Sequence, residues 1–440
     1  MSSTPDSSRR PTAVIAVIAD SDTRWKWGAS VARQLAPEHS LDAVFLRGRS
    51  TPTERQLAEV GIVPDRQRVV ATAGLVDDEE LAAADVVILA VSGGAVLALT
   101  HALGLAWAGR ERRPVTVSGY VGVVYEKLVD GLLTRAGTDL VLANSAHDAE
   151  RFAHAFASVG VDPESVVECA LPFLGGAPHR PAEDGERPFT LTFAVQPSVP
   201  RDREARLHLL GRAAAHARRH PGREVLIKLR SLPGEQTTHV EANPYQHLVE
   251  DLPEPAPANL RLVYGNMAEV LDRTDLLVTV SSTAALESMH RGIPTAILTD
   301  LGVREAHGNH YFLPSGCLAS WDDLDAGAQP RPLPEWAAAQ GIGKADPYAA
   351  ARARLALLRA SGPLPPLRPY YTPRSAGLYL GDILRRHGLD EQGRPRSAPA
   401  TAASGRTGRA VRRLARRGAG KLYRVGYQRV APTLRKWGAA

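Results

Sequence analysis

Cysteine is almost absent from this sequence. Its 440 residues include only Cys169 and Cys317, which lie far apart and in no Cys-x-x-Cys or Cys/His cluster. A disulfide framework and a structural zinc site both need paired or clustered cysteines, so the composition indicates neither. We expect no metal site.

Long apolar runs are also missing. The first residues, MSSTPDSSRRP, are polar, and no apolar signal-peptide core follows them. The apolar run at residues 12–19 is too short to cross a bilayer, and no other segment reaches the roughly 18 apolar residues that a spanning helix needs. We therefore expect a disordered N-terminus at residues 1–10 and a cytoplasmic protein, with the inner face of the plasma membrane as a further location.

Several catalytic signatures do not occur. The sequence has no Gly-x-Ser-x-Gly turn, no Gly-x-x-x-x-Gly-Lys-Ser/Thr phosphate loop and no His-Glu-x-x-His helix. These absences argue against typical esterases, P-loop kinases and zincins. A Gly-x-Gly-x-x-Gly fingerprint is absent too, so neither a nicotinamide nor a flavin is indicated and no cofactor is expected.

Acidic residues are missing from one end of the chain. From Arg394 to Ala440 there are thirteen Lys and Arg residues and no Asp or Glu, whereas the whole sequence has 53 basic and 47 acidic residues. The body is therefore mildly acidic. From Arg406 to Trp437 the tail fits a basic amphipathic helix with aromatic residues, which favours an anionic membrane surface. A disordered, solvated tail is the alternative, and no nucleic-acid partner is expected because no known nucleic-acid module accompanies the tail.

Short apolar runs alternate with helical patterns over most of the chain. The runs are nearly continuous, which is typical of buried parallel strands covered by helices on both faces. They occur at 12–19, 42–46, 68–72, 85–91, 115–118 and 139–143, and, after a Gly- and Pro-rich linker at 174–188, again at 189–195, 224–229, 260–263, 275–280 and 295–298. The pattern predicts an α/β protein with two doubly wound domains, 11–180 and 188–374, then a helix at 375–390 that packs back on the first domain and a basic tail at 391–440.

The most informative segment is DLLVTVSSTAALESMHRGIP, residues 275–294. A buried strand ends there, and Ser281, Ser282 and Thr283 lead directly into a helix that carries Glu287 one turn later. Hydroxyl side chains at such a junction cap the helix, and the free N–H groups there suit an anionic phosphate. A simple helix cap in any α/β protein is the alternative interpretation.

This Ser-Ser-Thr-x-x-x-Glu pattern, with the Gly-x-Pro turn after it, resembles the C-terminal half of GT-B glycosyltransferases. It is similar in particular to bacterial sialyltransferases, polysialyltransferases and capsule Kdo transferases, and the whole chain resembles a bacterial glycosyltransferase family. The resemblance implies two Rossmann-like domains facing a cleft and no metal. It also implies that Ser281, Ser282 and Thr283 hold the donor phosphate, with Glu287 close to the donor.

Basic residues at another strand end fit the same resemblance in part. Sialyltransferase-like enzymes carry Lys/Arg-x-His-Pro at the end of the equivalent strand, whereas here the strand end has Lys228 and Arg230, and His220 precedes the strand. Lys228 and Arg230 are the expected donor-binding residues. His220 is either the histidine of this motif at a shifted position or simply the end of the preceding helix. His239, in the next loop, is a candidate for catalysis at the phosphate or base, or else a solvated loop histidine.

Three loops follow strands of the first domain, to which the resemblance assigns the acceptor. Asp20 and Asp22 come directly after the first strand, where a carboxylate can act as general base on an acceptor hydroxyl. Their Asp-x-Asp spelling also resembles the metal motif of GT-A enzymes, but those enzymes place it after a later strand. The other two loops supply candidates for the acceptor side of the cleft, where glycine permits close approach of a ligand: Ser92, Gly93, Gly94, Gly119 and Tyr120.

Together these features predict a transferase that moves a sugar from a nucleotide-activated donor to a cell-envelope glycan or lipid-linked acceptor. The resemblance favours a CMP-linked acidic sugar over UDP or GDP sugars. Two alternatives stay open. A nucleotide-sugar 2-epimerase shares the architecture but needs no acceptor, and a non-catalytic peripheral membrane protein would bind no nucleotide.

Overall fold

A computed structural model describes residues 13–123, 128–183, 186–232, 235 and 241–396. The predicted disordered N-terminus, His239 and the basic tail beyond residue 396 lie outside these residues. Contacts group the described residues up to Pro395 into one compact unit, which contains both described sheets.

The first domain is a seven-stranded, all-parallel sheet with helices on both faces. Its strands, in the order β3-β2-β1-β4-β5-β6-β7, are β1 (Val14–Ala19), β2 (Ser40–Leu46), β3 (Arg66–Val70), β4 (Val86–Ala90), β5 (Val115–Gly119), β6 (Leu140–Ala143) and β7 (Val166–Glu168). The helices between them are α1 (Asp22–Leu35), α2 (Glu54–Val60), α3 (Glu79–Ala83), α4 (Gly93–Ala106), α5 (Leu128–Leu133) and α6 (Ala146–Ser158).

Strand β1 shows why the strands of this sheet are unbroken apolar runs in the sequence. Ile15 and Val17 pack in the core on one face of the sheet, and Ala16 and Ile18 pack in the core on the other. Since successive strand residues face opposite sides, a strand covered on both sides must be apolar at every position.

Helix α1 begins at Asp22, three residues after the end of β1. The side chain of Ser21 caps it by accepting a hydrogen bond from the Arg24 N–H at 3.4 Å. A Cβ on Gly28 would lie 2.5 Å from Val17 Cγ1, so only glycine lets α1 lie this close to the sheet. The start of α1 is therefore held at the end of β1.

The second domain is a six-stranded, all-parallel sheet with the same strand pattern. Its strands, in the order β10-β9-β8-β11-β12-β13, are β8 (Phe189–Ala194), β9 (Arg223–Lys228), β10 (Leu260–Val263), β11 (Leu276–Thr279), β12 (Thr295–Leu298) and β13 (Leu318–Ala319). Its helices are α7 (Arg203–Arg219), α8 (Tyr245–Leu248), α9 (Met267–Leu271), α10 (Ala284–His290), α11 (Trp321–Asp325) and α12 (Pro334–Ala339). The predicted architecture of two doubly wound α/β domains is confirmed.

The chain then returns to the first domain through α13 (Ala349–Ala360) and α14 (Pro373–Arg386). Tyr348, Ala351 and Leu355 lie in the core of the first domain. Residues 349–374, predicted as part of the second domain, instead return to the first, because the apolar face of α13 is buried under the first sheet. Leu380 and Ile383 of α14 pack against α4, which is where the sequence analysis placed this helix.

Candidate functional site

Each sheet has one place where the strand order reverses. In the first sheet it lies between β1 and β4, and in the second between β8 and β11. Loops that follow the carboxyl ends of strands diverge at such a point and leave a crevice in which doubly wound proteins bind ligands. The residues after these four strands are therefore the first candidates for a site.

Asp20 spans the reversal point of the first sheet. One carboxylate oxygen accepts a hydrogen bond from the backbone N–H of Ser92, after β4, at 3.2 Å, and the other accepts one from Arg24 Nη1 at 2.7 Å. His387, at the end of α14, lies near enough that the Asp20 charge opposes the lowering of the His387 pKa by burial. These contacts fix the Asp20 carboxylate.

Gln196 spans the reversal point of the second sheet in the same way. Its Oε1 accepts a hydrogen bond from the backbone N–H of Ser281 at 3.0 Å. The Ser281 hydroxyl is buried and donates to the His307 carbonyl at 2.5 Å. Ser281 therefore shapes the loop, whereas Ser282 and Thr283 are only half-buried.

The carboxyl edges of the two sheets face each other, as two ion pairs show. Arg230 Nη2, after β9, lies 2.9 Å from Asp22 Oδ2 at the start of α1. Lys26 Nζ, one turn further along α1, lies 3.7 Å from Glu287 Oε2 on α10. Predicted donor residues of one domain thus meet the predicted base loop of the other.

Thr283 lies at the same junction. A Cβ on Gly122, in the loop after β5, would lie 2.9 Å from Thr283 Cγ2. Thr283 is the N-cap residue of α10, but its side chain makes no capping hydrogen bond. The half-buried Ser282 supplies a bond instead, accepting from the Ala284 N–H at 3.3 Å. The predicted hydroxyl cluster is present, and its members differ in role.

Lys228 is a buried cation at this edge. Its side chain is 6% exposed, and Nζ donates to the backbone carbonyl of Leu229 at 2.6 Å. Burial lowers the pKa of Lys228 to about 8, and the nearby charges of Arg230 and Lys26 act in the same direction. An anion bound beside Lys228 would oppose both the effect of burial and that of the neighbouring cations, and so would raise the pKa of Lys228.

Glu287 is a buried carboxylate beside this cation. It is 6% exposed, and burial raises its pKa, while the neighbouring Lys26 ammonium opposes that rise. Lys26 also lies over the ring of Phe173, 4.5 Å from its centre. The site thus contains alternating cations and anions contributed by both domains.

The predicted loop after β4 has two kinds of glycine. A Cβ on Gly93 would lie 2.6 Å from Thr134 Oγ1, so packing against Thr134 accounts for glycine there. Gly94 has open space around its Cα, with nothing within 4 Å of a Cβ built on it. Ser92, the N-cap residue of α4, makes no side-chain capping bond. Of these two glycines, Gly94 is the one that borders open space.

The loop after β5 packs inward. A Cβ on Gly119 would lie 2.7 Å from the Trp27 ring, so this glycine accommodates α1. Tyr120 is half-buried, and the guanidinium carbon of Arg135 lies 3.9 Å from the centre of its ring. Tyr120 thus covers an arginine that the sequence analysis did not single out.

Sequence reasoning missed four polar residues near these edges: Lys26, Gln196, Arg135 and His387. Gln196 follows β8 directly, so the strand-end rule that selected Ser281 could have found it. Lys26 lies four residues after Asp22 on one helix face, a spacing that also could have found it. Arg135 and His387 follow helices and carry no sequence signal for the site.

His220 lies at the amino end of β9, opposite Lys228, and belongs to a different cluster. Ligand atoms of His216, His220 and Asp325 lie within 4.8 Å of one another, a grouping that could suit a metal ion. However, Arg219 bonds to Asp325, and Arg212 lies 3.6 Å from it. Since two guanidinium groups already neutralise this carboxylate, the charge does not favour a cation there.

No helix among the residues that the structure describes is both long and apolar enough to cross a bilayer.

The chain is similar in fold to several solved structures. The S. aureus MnaA–UDP co-structure has a TM-score of 0.48 and 14% identity, covering 78% of this chain and 94% of that one. A UDP-GlcNAc 2-epimerase from Neisseria meningitidis bound to UDP-GlcNAc has a TM-score of 0.44 and 13% identity, covering 78% and 98%. A UDP-glucosyltransferase from Polygonum tinctorium has a TM-score of 0.43 and 10% identity, covering 87% and 96%. These likenesses are too distant to assign an activity.

No curated protein matches the sequence. One family model does, over residues 15–358, and its description is "Putative glycosyltransferase (DUF6716)". The matched range begins in β1 and ends in α13, so it includes both sheets and all of the strand-end loops described above. The chain belongs to this glycosyltransferase family.

Proposed function

We propose that the protein transfers a sugar from a nucleotide-activated donor to a hydroxyl group of an acceptor in the cleft between its two domains. The observation that carries this proposal is the ion pair across facing sheet edges between Arg230, two residues after Lys228, and Asp22, two residues after Asp20. Cations and hydroxyls suit a phosphate, and a carboxylate opposite them suits a base.

The donor phosphate would bind to the second domain. Lys228 is buried and forms no ion pair within 4.0 Å with a described carboxylate, so a phosphate would add a direct counter-charge to the more distant charges of Glu59 and Glu287. Arg230 would exchange its bond to Asp22 for a bond to the phosphate. Glu287 would lie beside the donor, and Lys26 would hold its carboxylate in place.

The chemical step needs one proton acceptor and one charge stabiliser. The acceptor oxygen forms a bond to the anomeric carbon while the bond from that carbon to the phosphate oxygen breaks, and the nucleotide leaves with the electron pair. Asp22, released from Arg230, takes the hydroxyl proton, and Asp20 orients the loop through Ser92. Lys228 and Arg230 stabilise the charge that develops on the phosphate, so no metal is required.

We further propose a CMP-linked acidic sugar as donor and a cell-envelope glycan or lipid-linked molecule as acceptor. The tail from Arg406 to Trp437 would bind anionic membranes at the cytoplasmic face, with each cation contributing about 1 kcal/mol near the surface. His239 stays a predicted contributor to catalysis.

Sedimentation of the full chain with phosphatidylserine vesicles tests the membrane binding of the tail. The matched variant combines four substitutions: Arg412→Gln, Arg413→Gln, Arg416→Gln and Arg417→Gln.

Nucleotide binding tests the enzyme. Calorimetric titration of the full chain with CMP, UDP, GDP and ADP should show one preferred base, and Lys228→Met should lose that binding. Failure of all four nucleotides to bind would overturn the proposal and favour a protein that acts through its tail.

Acceptor dependence separates transfer from epimerisation. The donor that matches the preferred base should be consumed only when an acceptor glycan is added. Conversion of the sugar at C2 without an acceptor, followed by NMR, would instead assign the chain to epimerase chemistry.

A further inference from the structure

Arg135 is a buried charge without a counter-charge in the described chain. It is 7% exposed, and it donates hydrogen bonds from Nε to the Gly119 carbonyl at 2.8 Å and from Nη1 to the Gly131 carbonyl at 2.6 Å. Its third neighbour is the Tyr120 ring. All three partners are neutral, and among the described residues no carboxylate lies within 4.0 Å of this guanidinium. Buried charges in proteins are normally paired, so this environment favours an anion beside Arg135.

The guanidinium lies against the first turn of α4. A Cβ on Gly93, the first residue of this 14-residue helix, would lie 3.4 Å from Arg135 Nη1. The Ser92 side chain does not cap the helix, and no described group accepts a hydrogen bond from the N–H of Gly93 or Gly94. Free N–H groups and the helix dipole attract anions to such a turn.

The space and the local charge balance beside this turn suit a bound anion. Nothing lies within 4 Å of a Cβ built on Gly94, so the first turn of α4 borders open space. The other nearby cation, Arg24, is already paired with Asp20 at 2.7 Å. Burial lowers the pKa of Arg135, and the charge of Arg24 acts in the same direction. An anion bound here would stabilise the charged form of Arg135.

We propose that Arg135 and the first turn of α4 form a binding site for an oxyanion, a phosphate or a carboxylate, carried by the acceptor. This inference rests on the proposed function in that the first domain binds the acceptor. The site lies after β4, beside the reversal point at which Asp20 and Ser92 are joined. An anion bound there would anchor the acceptor with a neighbouring hydroxyl directed toward Asp22.

The test places an internal carboxylate in the site. Gly94 lies in the first turn of α4 with open space around it, so Gly94→Asp should fold, and Gly94→Asn is a control of equal size without the charge. Both are made in the full chain together with Lys228→Met, which removes the donor-side cation. Calorimetry then measures the binding of inorganic phosphate and, in a second arm, acetate.

We expect Lys228→Met to bind millimolar phosphate, Gly94→Asn to bind it equally well, and Gly94→Asp to bind it at least about tenfold more weakly because of charge repulsion. Tighter binding of phosphate than of acetate would identify a phosphate-bearing acceptor. Tighter binding of acetate would identify a carboxylate-bearing acceptor. Two results would overturn the proposed site: equal phosphate binding by the Gly94→Asp and Gly94→Asn variants, or no phosphate binding by the protein that carries only Lys228→Met. Nucleotide binding by the wild-type protein, measured in parallel, reports separately on the proposed function.

Discussion

Asp22 at the start of α1 and Arg230 after β9 form an ion pair between the two domains, with 2.9 Å between Oδ2 and Nη2. Arg230 also bonds to the hydroxyl of Thr23. In the proposed mechanism the donor phosphate takes the position on Arg230 that this carboxylate occupies. Donor binding and release of the base are therefore coupled in the proposed mechanism, and a single substitution separates them.

Replacing Asp22 by Asn should raise nucleotide affinity and lower turnover. The pair is 20% and 30% exposed, so its loss frees Arg230 by about 1 kcal/mol, or about fivefold in nucleotide affinity. Loss of the general base should reduce the transfer rate by about a hundredfold or more. Calorimetry and steady-state kinetics measure the two effects.

Arg55→Gln provides the control for that experiment. Arg55 Nε bonds to Glu235 in the second domain at 2.6 Å, so the variant also loses an ion pair between the domains but leaves Arg230 paired. Its nucleotide affinity should stay unchanged. An equal gain in both variants would mean that easier domain opening, and not release of Arg230, raises affinity.

Nucleotide affinity should fall as the pH rises through about 8. Burial lowers the pKa of Lys228 to about 8, so the ammonium loses its proton above that pH and no longer attracts phosphate. The unfolded chain keeps this proton up to about pH 10, so the contribution of Lys228 to the free energy of unfolding increases with pH between about 8 and about 10.

Lys228→Arg is the matched variant, because arginine stays charged over this range. Calorimetric titrations from about pH 7 to about pH 9 should show declining affinity in the wild-type protein and constant affinity in the variant. The same decline in both proteins would contradict the role of Lys228.

Ser281→Ala and Ser282→Ala should affect different quantities. Ser281 donates to the His307 carbonyl from a buried position, so its loss should lower the free energy of unfolding by about 1–3 kcal/mol. Ser282 is half-buried, so its substitution should change stability by less than about 1 kcal/mol and weaken nucleotide binding. Urea denaturation measures the change in stability, and calorimetry measures nucleotide binding. If both variants bind the nucleotide as tightly as the wild-type protein, the hydroxyl cluster is not part of the donor site.

Gly28→Ala should destabilise the protein by about 1–3 kcal/mol, because its Cβ would lie 2.5 Å from Val17 and 2.7 Å from Ala90. The shift of α1 would also move Asp22 and Lys26. Gly211→Ala, in the interior of α7 with open space around it, is the control and should stabilise the protein by about 0.5–1 kcal/mol. Similar denaturation midpoints for the two variants would show that α1 has room to move.

A chelator should leave the transfer rate unchanged. Lys228, Arg230 and Lys26 supply positive charge where the phosphate would lie, so a divalent cation has no separate task in the proposed step. Transfer assays with and without EDTA, and with Mg²⁺ added back, measure this directly. A rate that falls with EDTA and recovers with Mg²⁺ would assign charge stabilisation to a metal.

The strands and the residues after them were predictable from sequence because buried parallel strands are almost uniformly apolar. Both β10 and β12 have the predicted bounds, and Asp22 after β1 contacts Arg230 after β9 across the facing edges of the two sheets. The two shortest edge strands, β7 and β13, were not predicted. With three residues in β7 and two in β13, these strands are too short to show a pattern of apolar residues.

Contacts between distant segments could not be predicted in this way. The pairing of Lys26 with Glu287 joins positions far apart in sequence, and Arg135 lies in a turn with no motif around it. The apolar face of α13 was visible as a pattern, but periodicity does not tell which of two cores will cover it. Tertiary packing decides such cases.

The return of α13 and α14 to the first domain makes the second domain an insertion within the first. The second domain is continuous in sequence from β8 to α12, whereas the first core includes Tyr348 and Leu355 together with β1. During synthesis the second domain can therefore fold as soon as it has left the ribosome. The first domain begins the chain but completes its core last, only after the helix ending at Arg386 has been made.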